Sequence, residues 1–266
     1  MLEHKKIQNL SDYFVELNSR REKGVYFYRI NGYSEEVGEF IKKYYDTARR
    51  TGVVIEGKIP NPDEGNLAYY NEIMGMDFQM SMDFIHVSLR KWLPRMNEFQ
   101  RQNVAASIYD SLDSLRKAGK TENMLRNAYI KFMCWLYYKF ERIVNQLGEN
   151  HIPKILYEGQ ISNYELMLIS ILSNAGCDVV LLQYAGDQGY LKTDPGSVLS
   201  DSLQMEGLQP FPQGYCVKKV RDEIQNELNN ERLYGIRPSL TNCTNAWIKG
   251  CLLYTSPSPR DRSLSR

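Results

Sequence analysis

Residues 153–182 constrain the fold more than any other part of this chain. Pro153-Lys154-Ile155-Leu156-Tyr157-Glu158-Gly159 reads as a strand running into a loop. Ser162-Asn163-Tyr164-Glu165 is a capping box, with Ser at the cap and Glu three residues later. It opens an apolar helix through Leu166–Leu172 that stops at Gly176. Cys177-Asp178-Val179-Val180-Leu181-Leu182 then forms a nearly continuous apolar run. A strand that is apolar on both faces has to be covered on both, which is the condition of a parallel sheet between helices. Strand, helix and strand in this order predict a βαβ unit.

A second unit of this kind is expected near the start. Val25-Tyr26-Phe27-Tyr28-Arg29-Ile30 reads as a strand closed by an Asn31-Gly32 turn. Ser34 caps a helix running to about Arg50, with Val37, Phe40, Ile41, Tyr44 and Tyr45 on one face. Gly52 ends it, and Val53–Glu56 reads as another strand. The expected fold is therefore α/β, a Rossmann-like parallel sheet core carrying an inserted or appended helical section.

Residues 57–76, with Pro60, Pro62 and Gly65, read as a long irregular loop. Residues 77–93 show no decisive period. Two helices are expected at 97–118 and 121–147, the second roughly 40 Å long at 1.5 Å per residue. Its middle, Phe132–Tyr138, is apolar nearly all round and needs cover on more than one side. Gly186–Gly189 and Asp194–Gly196 read as loops. A last helix is expected over 214–232, with Val217, Val220, Ile224 and Leu228 facing inward.

These readings divide the chain into an N-terminal α/β segment (1–96), a helical section (97–148), a βαβ-containing segment (149–250) and a tail (251–266). Cys251–Asp261 reads like a translated sequencing-library adapter. The expectation is that the genuine chain breaks near Gly250 and that 251–266 have no fold of their own. Ser256-Pro257-Ser258-Pro259 disfavours both helix and central strand.

Charge excludes some partners. The formal net charge is +1, and Arg260, Arg262, Arg266 and Asp261 account for +2 of it, leaving −1 on residues 1–250. A near-neutral chain gives no electrostatic argument for nucleic acid or an anionic membrane. No apolar run follows Met1–Lys6, and Leu166–Cys177 is too short to span a bilayer. Cys134, Cys177, Cys216 and Cys243 are scattered without a Cys-x-x-Cys pair, as expected of reduced thiols in a cytoplasmic protein.

In open parallel sheets, ligands bind beyond the carboxyl ends of the strands. Tyr157–Asn163 offers one such end, with the Glu158 carboxylate, Gly159 and a helix N-terminus at Ser162 and Asn163 whose N–H groups favour an anion. Gln183-Tyr184-Ala185-Gly186-Asp187 offers another. Parallel pairing would bring both loops to one edge, where Glu158 and Asp187 could share a cleft; the plainer reading makes Ser162 a helix cap and the two carboxylates solvated loop residues. Arg90–Arg95 and Gln100–Asn103 gather cations and amides, including Arg95 and Asn103, which read either as a solvated face or as an anion clamp extended by Arg126, Asn127 and Lys131. The 19 tyrosines, several of them paired, read as packing or as stacking for a base or sugar. Dinucleotide, P-loop and nucleophile-elbow signatures are absent, as is any metal-ligand spacing among His4, His86, His151 and the cysteines. His86, between Ile85 and Val87, reads as a core or edge histidine. The residues identify no cofactor.

Trp92-Leu93-Pro94-Arg95-Met96-Asn97, Arg126–Phe132, Ile155–Gly159 and Ser173–Leu182 together resemble the YceG-like family. That resemblance implies a component of a biosynthetic module found in bacterial tellurite-resistance and stress gene neighbourhoods, in proteins longer than this chain. It implies an enzyme or ligand-binding subunit acting on a nucleotide- or sugar-like metabolite, with protein partners from the same module. It carries no catalytic residues. The rival expectation, favoured by the scarcity of histidine, is a non-catalytic interaction protein in a stress-response complex.

Overall fold

The computed structural model describes residues 2–60, 67–148 and 150–234. The adapter-like tail expected at 251–266 and the chain break expected near Gly250 lie outside these residues. Two compact units divide the chain, Met1–Tyr215 and Cys216–Arg266.

The first unit holds β1 (Phe27–Ile30), α1 (Glu35–Thr51), β2 (Val53–Glu56), α2 (Leu67–Met74), α3 (Met82–Trp92), α4 (Glu98–Lys117), α5 (Glu122–Trp135), α6 (Glu141–Val144), β3 (Lys154–Glu158), α7 (Asn163–Ala175), β4 (Asp178–Leu182), α8 (Gln188–Leu191) and β5 (Asp201–Ser202). The five strands form one parallel sheet in the order β2-β3-β4-β1-β5. The α/β class is as expected, and β3, α7 and β4 form the expected βαβ unit with Ile155 opposite Val179 and Leu156 opposite Val180.

The first strand-helix-strand unit differs from its expectation. β1 and β2 are parallel within one sheet, but β4 and β3 lie between them. Every residue of β4 is buried. Such a strand takes an interior place and needs a neighbour on each side, and β1 supplies one of them.

Alternate residues of the strands feed two layers. Phe27, Ile155, Tyr157, Val179 and Leu181 join one large core with the apolar faces of α4, α5 and α7. The opposite face is covered by α1, whose Tyr44 hydroxyl reaches the carbonyls of Asp178 at 3.0 Å and Ile155 at 3.3 Å. Ser34 caps α1 by accepting from the Val37 amide at 3.2 Å, as its position predicts.

Three further expectations are corrected. The loop expected over 57–76 contains α2, and the stretch without a decisive period is α3, capped by Ser81 accepting from Phe84 N at 3.2 Å. Both helices are short and depend on packing: Tyr69, Ile73, Ile85 and Leu89 are buried in the main core. The single helix expected over 121–147 is interrupted by a π-helical turn at Leu136–Phe140. The extra residue in that turn keeps Leu136 and Phe140 fully buried while Tyr137 stacks on Tyr69 at 3.9 Å. The all-apolar middle is thereby covered on two sides.

In the second unit, α9 (Val217–Tyr234) matches the expected last helix. Val217 and Val220 are buried, but Leu228 is 40% exposed. Asn226, Glu227, Asn229 and Asn230 surround it in sequence, and one apolar side chain among polar neighbours gains too little area to be buried.

Candidate functional site

The loops that leave β1 and β4 pass to opposite faces of the sheet. β1 leads to α1 on one side. β4 leads to α8, whose Tyr190 joins the core on the other side. Adjacent strands that exit in opposite directions leave a crevice at their carboxyl ends, where α/β sheets place ligands.

Four aromatic side chains gather at this crevice, each half-buried. Tyr184, from the β4 loop, packs edge-on against Phe211 at 4.9 Å and Tyr215 at 5.8 Å. Tyr33, from the β1 loop, lies 5.4 Å from Tyr215 and 5.9 Å from Phe211. Beside them the Tyr184 hydroxyl donates to the Glu158 carboxylate at 2.5 Å. Glu158 ends β3, so its side chain stands at the same edge.

The loop after β3 is fixed by its neighbours. Gly159 has φ +106, and a Cβ there would lie 3.2 Å from Gly57 Cα, so the position favours glycine twice over. Its carbonyl accepts from Gln183 Nε2 at 3.3 Å. The buried Glu165 carboxylate accepts from Ser162 N at 3.0 Å, Ser162 Oγ at 2.5 Å and Ile59 N at 2.7 Å. It closes the capping box and ties down the loop after β2. The Tyr157 hydroxyl donates to the Gly57 carbonyl at 3.1 Å, and burial pushes its pKa up.

Asp187 stands at this edge in a different arrangement. The Arg29 guanidinium grips its carboxylate through Nε at 3.1 Å and Nη2 at 3.0 Å. Nη1 donates to Ser200 O at 2.6 Å and Ser200 Oγ at 2.8 Å, and the guanidinium lies over the Tyr190 ring at 4.2 Å. Ser200 Oγ also donates to the Tyr190 hydroxyl at 2.7 Å, which donates to Asp194 at 2.9 Å. Burial raises the Tyr190 pKa. The network locks α8 and the entry to β5 onto β1. Glu158 and Asp187 therefore occupy the same edge with different partners, and among the described residues no hydrogen bond joins them.

Ser162 and Asn163 are exposed at the start of α7, with the Ser162 hydroxyl committed to Glu165. Arg95 and Asn103 lie in the helical layer, away from the sheet edge. Arg95 is exposed, 3.9 Å from Glu141, and Asn103 donates to Phe99 O at 3.1 Å. The neighbouring basic side chains converge on a carboxylate of this chain. His86 at 2.8 Å, Arg101 at 3.3 Å and Arg90 at 3.8 Å surround Glu98. Desolvation opposes ionisation of Glu98, but Arg101 and His86 hold its pKa below the ordinary value. Arg126 donates to the Met74 carbonyl.

Sequence reasoning missed Arg29, Tyr33, Tyr190, Ser200, Phe211 and Tyr215. Arg29 carries a signal: a cation inside an otherwise apolar strand must find a partner. The others sit in loops, in the four-residue α8 or beside the two-residue β5, where no periodicity marks them. The paired tyrosines Tyr44, Tyr45 and Tyr69 are buried packing residues.

Among the described residues no three His, Cys, Asp or Glu side chains are placed to hold a metal ion, and no helix is long and apolar enough to cross a membrane. No curated protein and no solved structure matches the chain. The model of one family, the YceG domain, matches residues 5–227, and the chain belongs to that family.

Proposed function

We propose that this chain is a ligand-binding component of a biosynthetic module, and that it takes a nucleotide- or sugar-like metabolite at the crevice between β1 and β4. The sheet is used in the Rossmann-like manner, with the ligand beyond the strand ends. The observation that carries this reading is the Glu158–Tyr184 pair beside Tyr33, Phe211 and Tyr215. A carboxylate at a strand end is suited to accept hydrogen bonds from sugar hydroxyls, and aromatic faces suit a sugar ring or base. A cytoplasmic place and a role in tellurite or stress response go with the family reading.

The test is a thermal-shift and calorimetric panel of nucleosides, nucleotides, nucleotide-sugars and coenzyme A. A hydroxyl-bearing ligand should bind the native chain, and Glu158→Gln should weaken it about tenfold or more, the scale of a lost charge-assisted hydrogen bond. Unchanged affinity in that variant would remove the crevice from the proposal.

A second reading, a non-catalytic interaction protein, is favoured by apolar side chains left outside on the helical layer, with Val87 61% and Phe99 53% exposed. It predicts that Val87→Glu abolishes assembly with module partners while the ligand panel stays silent.

A further inference from the structure

A cavity distinct from the crevice between β1 and β4 opens where the N-terminal segment passes the β5 edge. Its volume is about 470 Å³. Lys6, Glu36 and Asp201 bring charges of both signs to its wall, and Ile7 and Leu203 bring apolar surface. None of the three charged groups has an ion-pair or hydrogen-bond partner among the described residues.

Tyr28 supplies a buried polar group at the same wall. Its side chain is 6% exposed, and its oxygen accepts from Ile7 N at 3.1 Å. That contact uses the oxygen as acceptor and leaves the hydroxyl proton without an acceptor among the described residues. A buried donor with no acceptor is costly, and such a group turned to a cavity is satisfied by what fills it. Asp201 pairs in register with Tyr28 across β1 and β5, so carboxylate and hydroxyl belong to adjacent positions of the sheet. Glu36 comes from the first turn of α1.

We propose that this cavity binds a small zwitterion of the free amino-acid type. The Tyr28 hydroxyl donates to the ligand carboxylate, with the Lys6 ammonium beside it. Asp201 and Glu36 hold the ligand ammonium. Ile7 and Leu203 receive an apolar side chain. The separation of charge on the wall matches the separation of charge in the ligand, which neither a simple anion nor a simple cation would use in full. The volume exceeds what one water needs and lies within the range of small-molecule sites.

The experiment uses the full chain and four probes: L-leucine, L-methionine, N-acetyl-L-leucine and L-leucinamide. Amide resonances of Ile7 and Ser202 are followed in heteronuclear NMR as each probe is added. The free amino acids should shift both resonances in a saturable way, whereas the two blocked probes should bind about tenfold more weakly or worse. Asp201→Asn should weaken L-leucine binding by a similar factor without changing the melting temperature, because the Asp201 carboxylate has no hydrogen-bond or ion-pair partner among the described residues. Tyr28→Phe should weaken binding while keeping the aromatic packing. Equal binding of free and blocked leucine would overturn the zwitterion assignment. Absence of any saturable shift in the native chain, or unchanged affinity in Asp201→Asn, would overturn the site. Glu158→Gln should leave this binding intact, which separates a failure here from a failure at the crevice.

Discussion

Arg29 and Asp187 meet in two parallel hydrogen bonds of 3.1 and 3.0 Å, with the guanidinium 2% exposed and the carboxylate 19% exposed. Arg29 comes from β1, so the pair joins the first strand to the loop after β4. Removing Asp187 leaves a buried cation with Ser200 as its remaining hydrogen-bond partner. Asp187→Asn is expected to cost about 2 kcal/mol, less than a fully buried pair because water reaches the carboxylate. Arg29→Ala is expected to cost more, about 4 kcal/mol, because it also empties the space over the Tyr190 ring. Urea unfolding midpoints check both, and equal small losses would mean the pair is only decorative.

At the opposite edge of the sheet, Asp178 is fully buried between two cations. Arg20 donates to both of its oxygens, and Lys154 Nζ lies 2.5 Å from Oδ2. Asp178→Asn strands two positive charges in the core and is expected to cost about 4 kcal/mol, with Lys154→Met milder because Arg20 still pairs with Asp178. Chemical denaturation of the two variants should rank them in that order.

Alkaline pH should unfold this protein through its tyrosines. Burial pushes the hydroxyls of Tyr13, Tyr44, Tyr69, Tyr157 and Tyr190 well above 10.0 and that of Tyr129 to about 12. Below 10.0 these groups are neutral in both states, so their contribution is complete. Above 10.0 the unfolded chain loses those protons first, so stability falls as pH rises. Lys154 works the other way, since burial lowers its pKa and the unfolded chain keeps that proton longer. Six tyrosines outweigh one lysine. Absorbance at the tyrosinate band should show an exposed class titrating normally and a buried class appearing only together with loss of helical circular dichroism.

Gly52 sits where α1 hands over to β2, and a Cβ there would overlap the Lys154 backbone. Gly52→Ala should disrupt the pairing of β2 with β3 and cost about 3 kcal/mol or more. Gly57→Ala is the matched control. It has φ +86 and no atom within 4 Å of the new methyl, so only the backbone penalty of about 1 kcal/mol applies. Thermal melts of the two variants should differ clearly.

Glu165 connects Ser162 with the loop at Ile59. Glu165→Ala should remove about 2 kcal/mol and speed hydrogen exchange at the Ile59 and Ser162 amides, which Glu165 accepts from at 2.7 and 3.0 Å. Unchanged protection at Ile59 would mean that the loop is held from elsewhere.

The strands and long helices were legible because their patterns are local. The continuous apolar run of Val179–Leu182 announced a doubly covered strand, and Ser162 with Glu165 announced the start of α7. Strand order was not legible, since nothing near Phe27 and Tyr28 states that their partners are Val179 and Asp201. The π turn at Leu136–Phe140 was hidden because an apolar stretch looks alike with or without an added residue. Half of the candidate site was legible: Glu158 and Asp187 follow from the rule that strand ends carry ligands. That Tyr184 pairs with Glu158 and Arg29 with Asp187 was not, because side-chain pairing between distant segments leaves no spacing to read.

The place of β1 also bears on how the chain is made. Both of its neighbours, β4 and β5, come from far later in the sequence. During synthesis Phe27–Ile30 therefore waits, unpaired and rich in aromatic and apolar groups, until most of the first unit has left the ribosome. Contacts of such long sequence separation slow folding and lengthen the exposure of sticky segments. The first strand made is among the last to be secured, and Val25–Ile30 is the stretch on which a holding chaperone would act.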